Sequence, residues 1–112
     1  MTIQHSSLGA GRWNSMSLIE QMANVGSEIE RTIKWKNKGN HDYAMKAFER
    51  ALELLDFTIR DVKNVVRLRE LLRTREAIAD YFYFDNEYGT NEHIWHKYFF
   101  SFAYAARVKR CS

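Results

Sequence analysis

The feature that most constrains this chain is that its 112 residues contain no proline and only five glycines. These two residues disfavour a helix interior most, by about 3 and about 1 kcal/mol relative to alanine. The tight turns that join short strands draw on the same two residue types. Apolar residues also recur every three or four positions through most of the chain, which is the helical period. The sequence therefore predicts an all-α fold.

Four amphipathic helices are predicted, with lengths of about 17 to 24 residues, or roughly 25–35 Å. They run from Ser15 or Ser17 to Lys38, from Asp42 to Arg60, from Val65 to Phe84, and from Thr90 or Asn91 to Val108. Matched lengths and short linkers favour antiparallel neighbours. We therefore expect an up-and-down four-helix bundle as a single domain over residues 15–110, preceded by a flexible leader over residues 1–14.

Cysteine usage and hydropathy indicate the setting. The one cysteine, Cys111, has no intrachain partner, which favours a reducing, cytoplasmic compartment. The most apolar run, Ile94 to Val108, is shorter than the ~20 residues of a membrane span, and it contains Lys97 and Arg107. A net charge of +3 is too small to require a nucleic-acid partner. We expect a cytoplasmic protein without a membrane partner, a cofactor or a metal.

Two stretches of the sequence resemble known helical families. Residues 39–54, GNHDYAMKAFERALEL, resemble the second helix of a tetratricopeptide repeat through Gly39, Ala44, Phe48 and Ala51, and the likeness covers that helix alone. The Gly-Asn-x-Asp loop between two long helices, followed by an alanine-rich helix, resembles HEPN bundles. Many of those small bacterial and archaeal proteins act in toxin–antitoxin pairs, as ribonucleases or as partners of nucleotidyltransferases.

The resemblance to HEPN bundles implies a fold and a class of partner, without the nuclease activity. Active members carry an arginine followed, after four to six residues, by a histidine. No arginine precedes His41, His93 or His96 at that distance. The whole chain also resembles a group of short prokaryotic helical proteins, and that likeness implies a class without a mechanism. The blocks that carry it are GSEIER, AFERALELLDFTI, FDNEYGT and WHKYFFSFAYAAR.

Arg75 interrupts the apolar face of the third predicted helix. At 100° per residue it lies between Leu71 and Ile78, in a stripe that should be buried. A buried guanidinium must be paired, or it costs several kcal/mol. We expect an internal ion pair with Asp85 or Glu87. The alternatives are an anion site at the end of the bundle, or a guanidinium that reaches solvent along the surface.

The loop FDNEYGTNEH, residues 84–93, is rich in turn-forming residues. Thr90 or Asn91 is predicted to cap the fourth helix. Asp85, Asn86 and Glu87 could bind a cation instead, but their spacing lacks the length and ligand number of a calcium loop.

The fourth predicted helix has a second polar-aromatic face opposite its core side. Its members recur at spacings of 3, 4, 4 and 3, and they are His93, His96, Phe100, Tyr104 and Arg107. A helix in a monomeric bundle needs only one buried stripe. The aromatic, histidine and arginine side chains of this second face are typical of interface hot spots. The alternative is a central helix that is buried all round. Two histidines alone are fewer ligands than a zinc site needs, so we predict no metal there.

Three functional hypotheses follow from the sequence. The leading one is a non-catalytic interaction protein that self-associates, or binds another protein, through its fourth helix. The second is an accessory protein of a toxin–antitoxin or mobile-element system that binds nucleic acid. Its basic residues would be Arg67, Arg69, Arg73, Lys109 and Arg110. The third is a metal- or nucleotide-dependent enzyme centred on Arg75, Asp85, His93 and His96.

Overall fold

The computed structural model describes the backbone of residues 7–111 and the side chains of residues 11–109. Five α-helices and one 3-10 helix make up this part of the chain, which contains no strand. The helices are α1 (Ser7–Asn14), α2 (Leu18–Asn37), α3 (His41–Arg60), α4 (Leu68–Tyr83) and α5 (Glu92–Cys111), with the 3-10 helix at Val62–Arg67. The predicted all-α class is confirmed.

Side-chain contacts between the long helices define an up-and-down four-helix bundle. The start of α2 lies beside the end of α3, because Gln21 of α2 bonds to Asp61, the residue that follows α3. The pair Asp56–Arg75 joins the end of α3 to the middle of α4, and Gly26 of α2 faces Phe99 of α5. The end of α2 also meets the start of α5, where the Asn37 side chain donates to Glu92 at 2.7 Å, so these neighbours are antiparallel, and α2 lies between α3 and α5. The topology therefore agrees with the sequence prediction.

Local capping sets the helix boundaries. The Ser17 hydroxyl accepts from the backbone N–H of Glu20 and begins α2, while Gly39, at a φ of 78°, follows its end. Such a conformation favours glycine because it has no Cβ. The second predicted helix was expected to begin at Asp42, but α3 begins at His41, and the Asn40 side chain caps it by accepting from Tyr43 N–H at 3.1 Å. Asn91 caps α5 by accepting from Ile94 N–H at 2.9 Å.

Residues 7–14 of the predicted leader form the helix α1, and residues 1–6 lie outside the described part of the chain. Trp13 is buried at the end of α1. Its indole N–H donates to the Thr58 hydroxyl at 3.0 Å. A buried tryptophan needs such an acceptor, and α3 supplies one. The apolar ring and its one polar group therefore hold α1 against the bundle.

One hydrophobic core joins the helices. The periodic residues of α2 lie at its centre and are packed by Phe48 and Leu55 of α3, by Leu71 and Ile78 of α4, and by Trp95 and Phe99 of α5. The α2 members are Met22, Val25, Ile29 and Ile33. They recur every three or four positions, as residues on one face of a helix do.

The third predicted helix differs from the structure in its start and in its buried line. A 3-10 helix occupies residues 62–67, and α4 begins only at Leu68. The buried side of α4 runs through Leu71, Thr74 and Ile78, while Leu72 is exposed. Arg75 is therefore beside the buried line and not in its middle. Because α4 packs mainly against α3, it buries a narrower face than its sequence suggested.

Candidate functional site

The second face of α5 lies on the surface of the bundle. Phe100 is 59% exposed and Tyr104 is 56% exposed, although the core side of the same helix buries Trp95 and Phe99. The Phe100 and Tyr104 rings stack on each other, with centroids 6.2 Å apart and planes at 29°. The alternative of a helix buried all round is therefore excluded for the single chain. We call His93, His96, Phe100, Tyr104 and Arg107 the outer face of α5; all five are exposed.

A groove runs beside this face, between α2 and α5. It has a volume of about 460 Å³ and is lined by both helices. Small residues of α2, Ala23, Gly26 and Ser27, lie opposite Phe100 and Ala103 of α5. The structure therefore places a ridge of two aromatic rings next to a concave strip of small side chains.

Gly26 explains how closely α5 approaches α2. A Cβ atom built on Gly26 would lie 2.8 Å from the Cβ of Phe99, which is closer than real contacts allow. Glycine costs about 1 kcal/mol in a helix interior, so its presence here needs such a packing reason. The α2 side of the groove was not predicted from the sequence. Its signal was a glycine within a helix, with alanine and serine at helical spacing beside it.

The two histidines of the outer face do not form a metal site with their neighbours. His96 Nδ1 lies 2.6 Å from Glu30 Oε1 on α2, which ties α5 to the rim of the groove. Within residues 11–109, no group of three or more His, Cys, Asp or Glu side chains could hold a metal ion. The enzyme hypothesis also needed Arg75 and Asp85 near these histidines, but Arg75 bonds to Asp56 and Asp85 lines another groove.

The predicted partners of Arg75 are wrong. Its Nε donates to Asp56 Oδ1 at 2.7 Å, and neither Asp85 nor Glu87 bonds to it, although both line the same shallow surface groove. The Arg75 and Asp56 side chains are 38% and 35% exposed. A pair this exposed contributes at most about 1 kcal/mol, because solvent screens it. Arg75 therefore ties α3 to α4 at the surface, and the expected burial cost does not arise.

Loop residues 84–91 are ordered by the carboxylate of Asp80. Its two oxygens accept from the backbone N–H groups of Glu87 and Tyr88, at 2.9 and 3.0 Å. The Asn86 side chain bridges to Thr90, whose hydroxyl accepts from the Trp95 indole at 3.1 Å. Capping and turn formation thus account for most of the polar residues here, as the sequence indicated. The role of Asp80 was not predicted, because its backbone partners lie seven and eight residues away.

The basic residues of the nucleic-acid hypothesis differ in their ion pairing and in their position. Arg67 is paired with Glu70, whereas Arg69 and Arg73 are exposed. All three line a groove of about 930 Å³ between α4 and α5. Lys109 is exposed near the end of α5, and the side chain of Arg110 lies outside the described part of the structure.

A buried polar cluster at one end of the bundle was also missed. The side chain of Gln21, fully buried, donates to Asp61 Oδ2 at 2.9 Å and to the Trp13 carbonyl at 3.0 Å. Its own carbonyl oxygen accepts from Asn64 at 2.8 Å. Burial alone would raise the pKa of Asp61, but hydrogen bonds from Lys63 and Gln21 and the Lys63 charge hold that pKa below its usual value. These bonds join α1, α2 and the 3-10 helix, so the cluster is structural.

No helix in residues 7–111 combines the length and the apolar character needed to cross a membrane. Comparison of the chain with family models, with curated proteins and with solved structures finds no match in any of the three. The surface features of the bundle therefore carry the functional argument.

Proposed function

We propose that this protein is a small helical-bundle interaction protein that acts as a homo-oligomer, assembled through the outer face of α5. The observation that carries the proposal is the pair of stacked, exposed rings of Phe100 and Tyr104. Aromatic side chains at the centre of a patch contribute most of the energy of protein association. The residues of the catalytic hypothesis have separate partners, because Arg75 bonds to Asp56 and His96 to Glu30.

The shape of the surface favours a second copy as the partner. The aromatic ridge of α5 and the groove lined by Ala23, Gly26 and Ser27 lie side by side on the same surface. In a two-fold symmetric pair, each copy presents the same patch, so a ridge and a groove on one surface become complementary. The Phe100 ring of one copy would then fill the groove of the other.

The aromatic area is large enough to form the centre of such an interface. An aromatic side chain buries about 150–250 Å² when fully enclosed. With more than half of each ring exposed, Phe100 and Tyr104 would supply about 200 Å² per copy. A stable interface buries about 800 Å² per partner. The rings would therefore form its core, and the groove walls and the polar ends His93 and Arg107 would form its rim.

The test replaces both rings with charged residues, as Phe100→Glu with Tyr104→Lys. Size-exclusion chromatography with light scattering measures the mass, and circular dichroism measures the helix content. We expect an assembled wild type and a monomeric, helical variant, with an association constant at least about 100-fold weaker.

A matched control makes the same chemical changes elsewhere, as Phe84→Glu with Tyr43→Lys. Both residues are exposed and neither lies on α5. This control should keep the mass of the wild type. A monomeric wild type would refute the proposal, and so would a Phe100/Tyr104 variant that unfolds, because the rings would then belong to the core.

A further inference from the structure

The groove between α4 and α5 is a second concave surface, distinct from the outer face of α5. Its walls are the α4 residues Arg69, Arg73 and Ala77 and the α5 residues Ile94 and Tyr98. The Thr74 hydroxyl and the Tyr98 hydroxyl, 3.1 Å apart, join the two helices across its floor. Backbone contact between α4 and α5 is slight compared with that between α2 and either of its neighbours. The bundle is therefore open on this side.

Positive charge on this groove is only partly balanced. Glu70 is occupied by Arg67, and Glu76 accepts from the Tyr88 hydroxyl at 2.9 Å. Neither Arg69 nor Arg73 makes an ion pair within the described side chains. The two lie one helical turn apart on α4, where like charges repel. A bound negative group would remove that repulsion.

The rest of the groove is apolar, which decides what kind of anion fits. Val66, at the end of the groove, is 87% exposed, and Ile94 is also exposed. Trp95 and Tyr98 also line the groove, and Trp95 is buried. The exposed aliphatic side chains of Val66 and Ile94 would be stabilised by contact with other apolar side chains. A nucleic-acid strand offers phosphates and base faces instead.

We infer that this groove binds an amphipathic α-helix of a partner protein, with an apolar face against Ile94, Tyr98 and Val66 and acidic residues paired with Arg69 and Arg73. Helices recognise grooves of this kind through apolar residues at helical spacing. The acidic residues would fix the direction and register of the bound helix. Because the site lies on the α4 side of α5, self-association through Phe100 and Tyr104 leaves it open.

The experiment selects 18-residue helical peptides from a display library, in which the apolar face and the flanking positions are both randomised. Selection is carried out on the wild-type protein and on the variant Arg69→Glu with Arg73→Glu. We expect peptides with Asp or Glu flanking a leucine-rich face on the wild type, and Lys or Arg at those positions on the variant. Each acidic peptide should bind the variant about 5- to 30-fold more weakly.

The three tryptophans locate the bound peptide. In a proton–nitrogen spectrum, the indole signal of Trp95 should shift on binding, whereas those of Trp13 and Trp35 serve as internal references because neither lines the groove. The Phe100→Glu/Tyr104→Lys variant should bind the peptides like the wild type. This variant separates a failure of the present inference from a failure of the self-association proposal.

Results of three kinds would overturn the inference. The first kind is a selection in which either no peptide is enriched or the charge-reversed variant selects the same peptides as the wild type. The second is a peptide that shifts Trp35 or Trp13 and leaves Trp95 unchanged. The third is a labelled single-stranded oligonucleotide that binds at the Trp95 groove more tightly than any selected peptide, which would instead favour nucleic acid as the ligand.

Discussion

Replacing Gln21 by methionine tests whether the buried polar cluster holds α1 and the 3-10 helix to the bundle. Methionine has a similar volume, so the change removes hydrogen bonds without opening a cavity. The Trp13 carbonyl keeps the N–H of Met16, and the Asp61 carboxylate keeps Lys63. One buried N–H of Asn64 loses its acceptor, because its other bond goes to the Thr58 carbonyl.

Two losses set the expected cost in stability. The Asn64 N–H is left without an acceptor, and the bond from Gln21 to the charged Asp61 carboxylate is removed. An unsatisfied buried donor costs about 1–3 kcal/mol, and a hydrogen bond to a charged group contributes about 1.5–3 kcal/mol. Since methionine recovers part of this through apolar contact, we expect Gln21→Met to lower the free energy of unfolding by about 3 kcal/mol. For a chain of 112 residues this corresponds to a melting temperature about 13 °C lower.

The assay is thermal and urea unfolding followed by circular dichroism, at one fixed protein concentration because self-association adds to apparent stability. A double-mutant cycle with Asn64→Leu isolates the hydrogen bond between the two amides. The double variant leaves neither amide without its partner. The sum of the two single-variant losses of stability should therefore exceed the loss in the double variant by about 1 kcal/mol or more. Asn24→Met, on the exposed side of α2, is the control and should change stability by less than about 0.5 kcal/mol.

Additive effects of the two substitutions would contradict this prediction, and so would a Gln21→Met variant as mild as the Asn24 control. Additivity would mean that water satisfies Asn64 when Gln21 is absent, so that the cluster is not sealed. A mild effect would mean that α1 does not depend on the cluster for its attachment.

Two further predictions concern packing and pH. Gly26→Ala should destabilise the bundle by about 1 kcal/mol or more, because the new Cβ meets Phe99 and this outweighs the better helix propensity of alanine. The control Gly11→Ala, whose Cβ meets nothing within 4 Å, should stabilise the bundle. Equal Tm shifts in the two variants would contradict the close approach of α5 to α2. For Asp61, the lowered pKa means that its contribution is complete above pH 3.8 and is lost as pH falls through its folded value. The stability gap between wild type and Asp61→Asn should therefore narrow below pH 3.8, and a gap that is independent of pH would show that the carboxylate charge makes no contribution.

Helix content and the buried faces of three helices could be predicted from the sequence. Helix hydrogen bonds join residues four apart, so the information that forms a helix lies within a short stretch of chain. Met22, Val25, Ile29 and Ile33 are buried in the structure as their period indicated. The α4 face was less well predicted, because an amphipathic pattern does not state how many neighbours a helix has.

The candidate site was likewise predicted only in part from the sequence. Spacing alone grouped the five residues of the outer face of α5, because they share one helix. Spacing could not decide whether that face is exposed or buried, and it could not find the small residues of α2 across the groove. Those contacts join residues about 70 positions apart in the chain, such as Gly26 and Phe99.

The sequence by itself determined the four long helices, their antiparallel order and the polar-aromatic composition of α5. Only the tertiary structure decided that Arg75 pairs with Asp56, that Gln21 bonds to Asp61 and Asn64, and that Trp13 docks on Thr58. The physical reason is distance along the chain. Local hydrogen bonds and helical period are properties of short segments, whereas the partner of a polar side chain depends on which helices become neighbours.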